Sequence, residues 1–181
     1  MKTFKNIIVI NGTGGAGKDT FISFAQNYAE VMNVSSIDKV KKVGTLIGWQ
    51  GTKTEKDRKF LSDLKRLTTE YNDMSYLDIR KKVKKFMESS ASILFIHIRE
   101  PEEIARIVKD LGALTLIIKR PDIPMITSNF SDANVENYNY DFTVINYSPQ
   151  ELDKEAQNFV NTISNYNPIT KNYNKLERRY I

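Results

Sequence analysis

Gly12-Thr13-Gly14-Gly15-Ala16-Gly17-Lys18-Asp19-Thr20 is the stretch whose residue types and spacing carry the most chemistry. It has the form Gly-x4-Gly-Lys, follows the apolar run Ile7-Ile8-Val9-Ile10 and opens a segment that reads as a helix. Strand, glycine-rich turn, lysine and helix are the context a phosphate-binding loop needs. Glycines let successive backbone N–H groups turn inward around phosphate oxygens, with no Cβ in the way. The helix start adds its orphan N–H groups and positive dipole end. Lys18 adds a mobile cation that can reach β- and γ-phosphates. Gly12, Gly14, Gly15, Ala16, Gly17, Lys18, Asp19 and Thr20 are therefore the expected ATP-binding residues. The usual hydroxyl directly after the lysine is displaced, since Asp19 stands there and Thr20 follows. Asp19 either orients a metal-bound water or caps the helix start. Two rival readings are an ordinary flexible turn and a dinucleotide-binding turn. The second wants Gly-x-Gly-x-x-Gly and an acidic residue about twenty positions on, which Gly12, Gly14, Gly17 and Asp38 supply. The Lys18 and Thr20 pair argues against it.

The elements that must position this loop read as alternating strands and helices. Apolar strands are expected at residues 4–11, 33–38, 92–98, 113–119 and 141–146. Helices are expected from the loop to about residue 32, then at 55–72, 102–111 and 149–163. Strands apolar on both faces and separated by helices imply a parallel sheet covered on both sides. The expected fold class is thus a three-layer α/β/α P-loop NTPase fold with a five-stranded parallel sheet. Ligands of such sheets bind at the carboxyl edge. That edge should carry the loop, Asp38, Arg99, Arg120 and Asn146. One domain is expected over 1–164, with a helical insertion at about 39–90 and a short lid at about 121–134. A polar tail, 165–181, is either flexible or packed on a second copy of the chain as a homodimer.

The 181 residues suit one domain, and 40% hydrophobic residues suffice for a core. The absence of cysteine excludes disulfides, a thiolate nucleophile and cysteine metal sites. The single histidine, His97, lies in an apolar strand and reads as a packed residue. No leader precedes the first strand and no apolar run approaches membrane-spanning length, so a soluble, cytoplasmic protein without membrane partners is expected. A net charge of +5 suits anionic small molecules as well as nucleic acid.

Within the insertion, Trp49 sits between Gly48 and Gly51, and basic residues follow. Lys53, Arg58 and Arg66 are candidates for acceptor-phosphate contacts, with Trp49 or Tyr71 for stacking on a base. The alternative is that these charges form the solvated face of helix 55–72, whose apolar stripe is Phe60, Leu61, Leu64 and Leu67. The run Arg80-Lys81-Lys82-Val83-Lys84-Lys85-Phe86 reads as a solvated helix face or a nucleic-acid footprint.

The order Gly-Lys-Asp-Thr resembles the P-loops of nucleoside and nucleotide monophosphate kinases, among them the adenylate kinase group. Arg99-Glu100-Pro101, Lys119-Arg120-Pro121 and Asp141-Phe142 resemble the deoxynucleoside monophosphate kinases of phages and bacteria. That resemblance spans most of residues 5–163. It implies a nucleoside monophosphate kinase-like fold and ATP-dependent phosphoryl transfer to a nucleoside or deoxynucleoside monophosphate. Arg99 would hold the acceptor phosphate beside Lys53, Arg58, Arg66, Trp49 and Asp38. Arg120 would close on the transferring group with Lys18, and Asn146, Tyr147 and Ser148 would lie beside the donor base. Thr20 would bond a phosphate oxygen, and Mg2+ would be held largely through water near Asp19 and Thr20. The sequence departs from the adenylate kinases in its lid, which carries Arg120 alone at its base. With a hydroxyl acceptor, Asp38 would be the base. The alternatives are a kinase of another small phosphorylated or hydroxyl acceptor, and a non-enzymatic or nucleic-acid-associated P-loop protein. Small nucleotides, rather than nucleic acid, are the expected partners.

Overall fold

The computed structural model describes residues 4–122 and 135–165. Residues 123–134 of the expected lid, and the tail after residue 165, lie outside the described residues. The elements run β1 (Asn6–Asn11), α1 (Lys18–Ala25), β2 (Val31–Ser35), α2 (Asp38–Leu46), α3 (Glu55–Asn72), α4 (Met74–Glu88), β3 (Ile93–His97), α5 (Pro101–Leu111), β4 (Leu114–Lys119), β5 (Phe142–Ile145) and α6 (Pro149–Ser164). None of the described helices is long and apolar enough to cross a membrane.

The chain forms two compact units, Met1–Asn33 with Ser90–Ile181, and Val34–Ser89. The sheet has the order β2-β3-β1-β4-β5. β1 pairs in parallel with β3 on one side and β4 on the other, and β4 with β5. Every residue of β1 is buried. One face of the sheet, Ile8, Ile10, Ile93, Phe95, Leu116, Ile118 and Val144, packs on α1 and α6. There Phe159 of α6 meets Phe21, Phe95 and Phe142, with ring centroids 5.7, 6.2 and 5.2 Å away. The alternate residues Ile7, Val9, Leu94, Ile96 and Ile117 are also buried, and α5 brings Ile104, Ile107 and Leu111 to β1 and β4. The result is a five-stranded parallel sheet in a three-layer α/β/α fold.

Two expected elements differ in extent. α1 stops at Ala25 rather than near residue 32, because tighter bonds take over in its last turn: Asn27 N–H to Phe24 O, 2.9 Å, and Tyr28 N–H to Ala25 O, 3.1 Å. Val31 and Met32, which extend an apolar pattern, belong to β2 instead. Accordingly β2 ends at Ser35, and Asp38 is not a strand-end residue but the first residue of α2.

The second unit holds α2, α3 and α4, which pack pairwise. Gly44 of α2 lies under Phe60 and Leu61 of α3, where a Cβ would come within 3.3 Å of each. α3 starts with a capping box: Asp57 N–H donates to Thr54 Oγ1 at 3.2 Å, and Thr54 N–H to Asp57 Oδ2 at 3.0 Å.

Candidate phosphate-binding site

The loop between β1 and α1 takes backbone conformations that require its glycines. Gly12, Gly15 and Gly17 have φ of 144°, 81° and 100°. Gly12 and Gly17 are also crowded: a Cβ at 12 would collide with the Ile118 carbonyl, and one at 17 with the Asn146 side-chain amide. Gly17 is the residue before α1, and its carbonyl accepts the first helical bond from Phe21 N–H at 2.8 Å. By helix geometry the N–H groups of Lys18, Asp19 and Thr20 point back toward the loop. The Lys18 ammonium lies over the loop, donating to the carbonyls of Gly12 and Thr13. Cradle, dipole and cation therefore converge on one spot.

Two asparagines hold the cradle in place. Asn11, wholly buried at the end of β1, accepts Gly12 N–H on Oδ1 at 2.8 Å. Its Nδ2 donates to the Arg99 carbonyl at 3.2 Å and to the Tyr140 hydroxyl at 2.7 Å. Asn146, expected beside a donor base, is buried with its Nδ2 donating to Ala16 O at 2.9 Å. Its N–H donates to Lys119 O at 2.7 Å. Sequence reasoning missed Asn11 altogether; its place directly before the glycine run was the available signal.

The parallel strands bring Gly12, Arg99, Arg120 and Asn146 to one edge. Arg99 lies half-buried just past β3, and Arg120 is exposed just past β4. Beside the loop is a cavity of about 260 Å³ lined by Thr13, Ile117, Ile118, Val135 and Ile145, with Lys119, Arg120 and Glu136 also at its wall. Lys119 and Glu136 pair at 2.9 Å. The Tyr140 hydroxyl donates to Val135 O at 2.8 Å. Burial is the main reason the pKa of this hydroxyl is pushed up to about 12; the Asn11 bond works the other way, and Tyr138 and Glu136 add to the rise. Tyr147 is exposed, and Ser148 caps α6, accepting Glu151 N–H at 3.2 Å.

Asp19 makes no capping bond to α1; its carboxylate is 91% exposed, with Oδ1 3.7 Å from Nε2 of His97. Thr20 is exposed next to it. A carboxylate and a hydroxyl without a third ligand suit Mg2+ that keeps most of its waters and shares donor phosphates. Among the described residues no cluster of three or more acidic or histidine side chains could hold a metal alone.

In the second unit Lys53 and Arg58 are exposed, and Arg66 bonds Glu70 at 3.0 Å along α3. Trp49 is half-buried near Gly44, with its Nε1 sealed from solvent and lacking a hydrogen-bond partner. Tyr71 is exposed. Lys82 does not join a basic face: its ammonium lies 2.8 Å from both Asp38 Oδ2 and Asp78 Oδ2. Asp38 Oδ2 also accepts Ser35 N–H at 2.8 Å. Burial alone would raise the Asp38 carboxyl, but the bonds from Lys82 and Ser35 outweigh it and hold it below its ordinary value. Val83 and Phe86 of the same run are buried, leaving Lys81, Lys84 and Lys85 exposed.

No protein-family model matches the chain, and no curated protein sequence does. Among solved structures it is similar to the APS kinase of Mycobacterium tuberculosis, at 12% identity over 90% of this chain and 99% of that one, with a TM-score of 0.42. It is also similar to shikimate kinase from Aquifex aeolicus, at 16% identity over 88% of this chain and 98% of that one, with a TM-score of 0.45.

Proposed function

We propose that the chain is an ATP-dependent kinase that phosphorylates a nucleoside or deoxynucleoside monophosphate. The observation that carries the donor half is the loop at residues 12–18, with three left-handed glycines, a helix start and Lys18 converging on one phosphate-sized cradle. The strand order weighs against the dinucleotide alternative, because β1 here lies between β3 and β4 rather than beside β2. The apolar walls of the neighbouring cavity suit the flat face of the donor base.

Transfer between phosphates needs alignment and positive charge more than a protein nucleophile. Loop N–H groups and Lys18 stabilise charge on the transferring group, Arg99 grips the acceptor phosphate, and Arg120 approaches from the end of β4. Lys53 and Arg58 are further acceptor-phosphate candidates, and Trp49 the stacking ring. Mg2+, carried near Asp19 and Thr20, would offset charge on the donor phosphates.

A phosphate acceptor is favoured over a hydroxyl by the state of Asp38. A carboxylate tied to Lys82 and Ser35 and held below its ordinary value is a weak base for a hydroxyl. A phosphate oxygen is already ionised near neutral pH and needs no base. The test is a coupled assay with ATP and Mg2+ over a panel of ribo- and deoxyribonucleoside monophosphates, with nucleosides as hydroxyl acceptors. Turnover of a monophosphate supports the proposal. Turnover of nucleosides alone transfers the role of base to Asp38 and overturns the phosphate-acceptor reading.

A further inference from the structure

The donor cavity has two walls that come from distant parts of the chain. Thr13 supplies one, inside the glycine loop, and Val135 and Glu136 supply the other, where the chain returns toward β5. A chain of hydrogen bonds joins them, beside the tie that runs from Glu136 through Lys119 and Asn146 to the Ala16 carbonyl. Gly12 N–H donates to Asn11 Oδ1 at 2.8 Å, Asn11 Nδ2 donates to the Tyr140 hydroxyl at 2.7 Å, and that hydroxyl donates to Val135 O at 2.8 Å. Each polar atom has a defined partner or pair of partners. The Asn11 oxygen faces the loop, its nitrogen faces Tyr140 and the Arg99 carbonyl, and the tyrosine oxygen both accepts and donates. Asn11 is wholly buried, so water cannot substitute for a missing partner at its amide.

We propose that Asn11 and Tyr140 form a brace that sets the width of the donor-base cavity, making Tyr140 a positioning residue for the base and Asn11 one for the base and the phosphate cradle together. The inference rests on the donor-site reading above. The two ends of the brace act on different groups. The Tyr140 hydroxyl bonds Val135 O and the Asn11 side chain. Asn11 holds both Tyr140 and the N–H of the first glycine of the cradle. Loss of the tyrosine hydroxyl frees the base-side wall and leaves the Gly12 bond in place. Loss of the asparagine amide frees the wall and the cradle together. The neighbouring Arg99 backbone is tied to the same Asn11 nitrogen, so the asparagine also fixes the start of the segment that carries Arg99.

A base-bearing and a base-free ligand separate these effects. Full-length wild type, Tyr140→Phe and Asn11→Ala are titrated calorimetrically with a non-hydrolysable ATP analogue and with inorganic tripolyphosphate, both with Mg2+. Folding is checked by circular dichroism and melting. Tyr140→Phe is expected to weaken the ATP analogue roughly three- to tenfold, the effect of one buried hydrogen bond, and to leave tripolyphosphate within about twofold. Asn11→Ala is expected to weaken both. Equal weakening of the two ligands by Tyr140→Phe, or no change in either, overturns the brace. A Tyr140→Phe chain that does not fold overturns it as well, since the hydroxyl would then serve the whole core. Wild-type protein that binds neither ligand overturns the proposed function and this inference with it. Normal wild-type binding that Tyr140→Phe leaves untouched overturns the inference alone.

Discussion

Lys18 is the residue on which the donor reading depends most directly. Its ammonium lies against loop carbonyls, outside the apolar core. Lys18→Met should therefore leave the melting temperature close to that of the wild type while turnover falls at least about 100-fold, the usual cost of losing a contact to developing charge. Near-normal turnover in the folded variant would remove the lysine from the mechanism. Lys82 makes the opposite case, a cation turned inward to two carboxylates. Asp38 is held below its ordinary value, so its contribution to stability is present above about pH 4 and is lost as pH falls through its folded value. For Lys82, burial works against the charge, but the bonds to Asp38 and Asp78 raise it overall. Its contribution is full below about pH 10 and is lost as pH rises through the folded value. Lys82→Met should lower the melting temperature at neutral pH and flatten both the acid and the alkaline fall. An unchanged pH profile would mean that the triad contributes nothing to folding. The glycines, Lys18 and Thr20 were legible in the sequence because their spacing is local. The bonds of Asn11 and Asn146 were not legible, because their partners Tyr140 and Ala16 stand 129 and 130 positions away. No local pattern records such a partner.

Among the elements, α6 packs on the sheet's α1 face through Phe159, whose ring meets rings of three other elements. Phe159→Ala should cost about 3–5 kcal/mol in denaturant unfolding, as expected for a large ring removed from a packed site. A loss below about 1 kcal/mol would mean that the surrounding rings close the space. The strands were legible because parallel strands buried on both sides read as continuous apolar runs. The end of α1 was misjudged for a different reason. Val31 and Met32 extend a helical pattern, and only the sheet assigns them to β2. α3 was read to the residue because both its ends are punctuated locally, by the Thr54 capping box and by Asp73 at φ 57°.

The whole molecule carries a net charge of +5, which suits small anions and nucleic acid alike, and we propose small nucleotides as its ligands. The densest basic run loses Lys82 to its ion pairs and Val83 and Phe86 to the interior. Fluorescence titration should find a single-stranded oligonucleotide weaker than the ATP analogue near 0.15 M salt, and weaker still as salt rises. An oligonucleotide that binds more tightly than the analogue would move the protein to the nucleic-acid class. The fold class was legible at this scale because the alternation of strands and helices spans the chain. The strand order was not, since it depends on which distant strands meet. That order has a consequence for how the protein is made. β1 leaves the ribosome before both its neighbours, β3 and β4. The loop's carbonyl at Ala16 waits for an amide from Asn146. During translation the glycine segment exists long before anything holds it in shape. A nascent chain halted before β5 carries the full motif without the Asn146 amide that supports it, and the loop is held in shape only once β5 and Asn146 have been made.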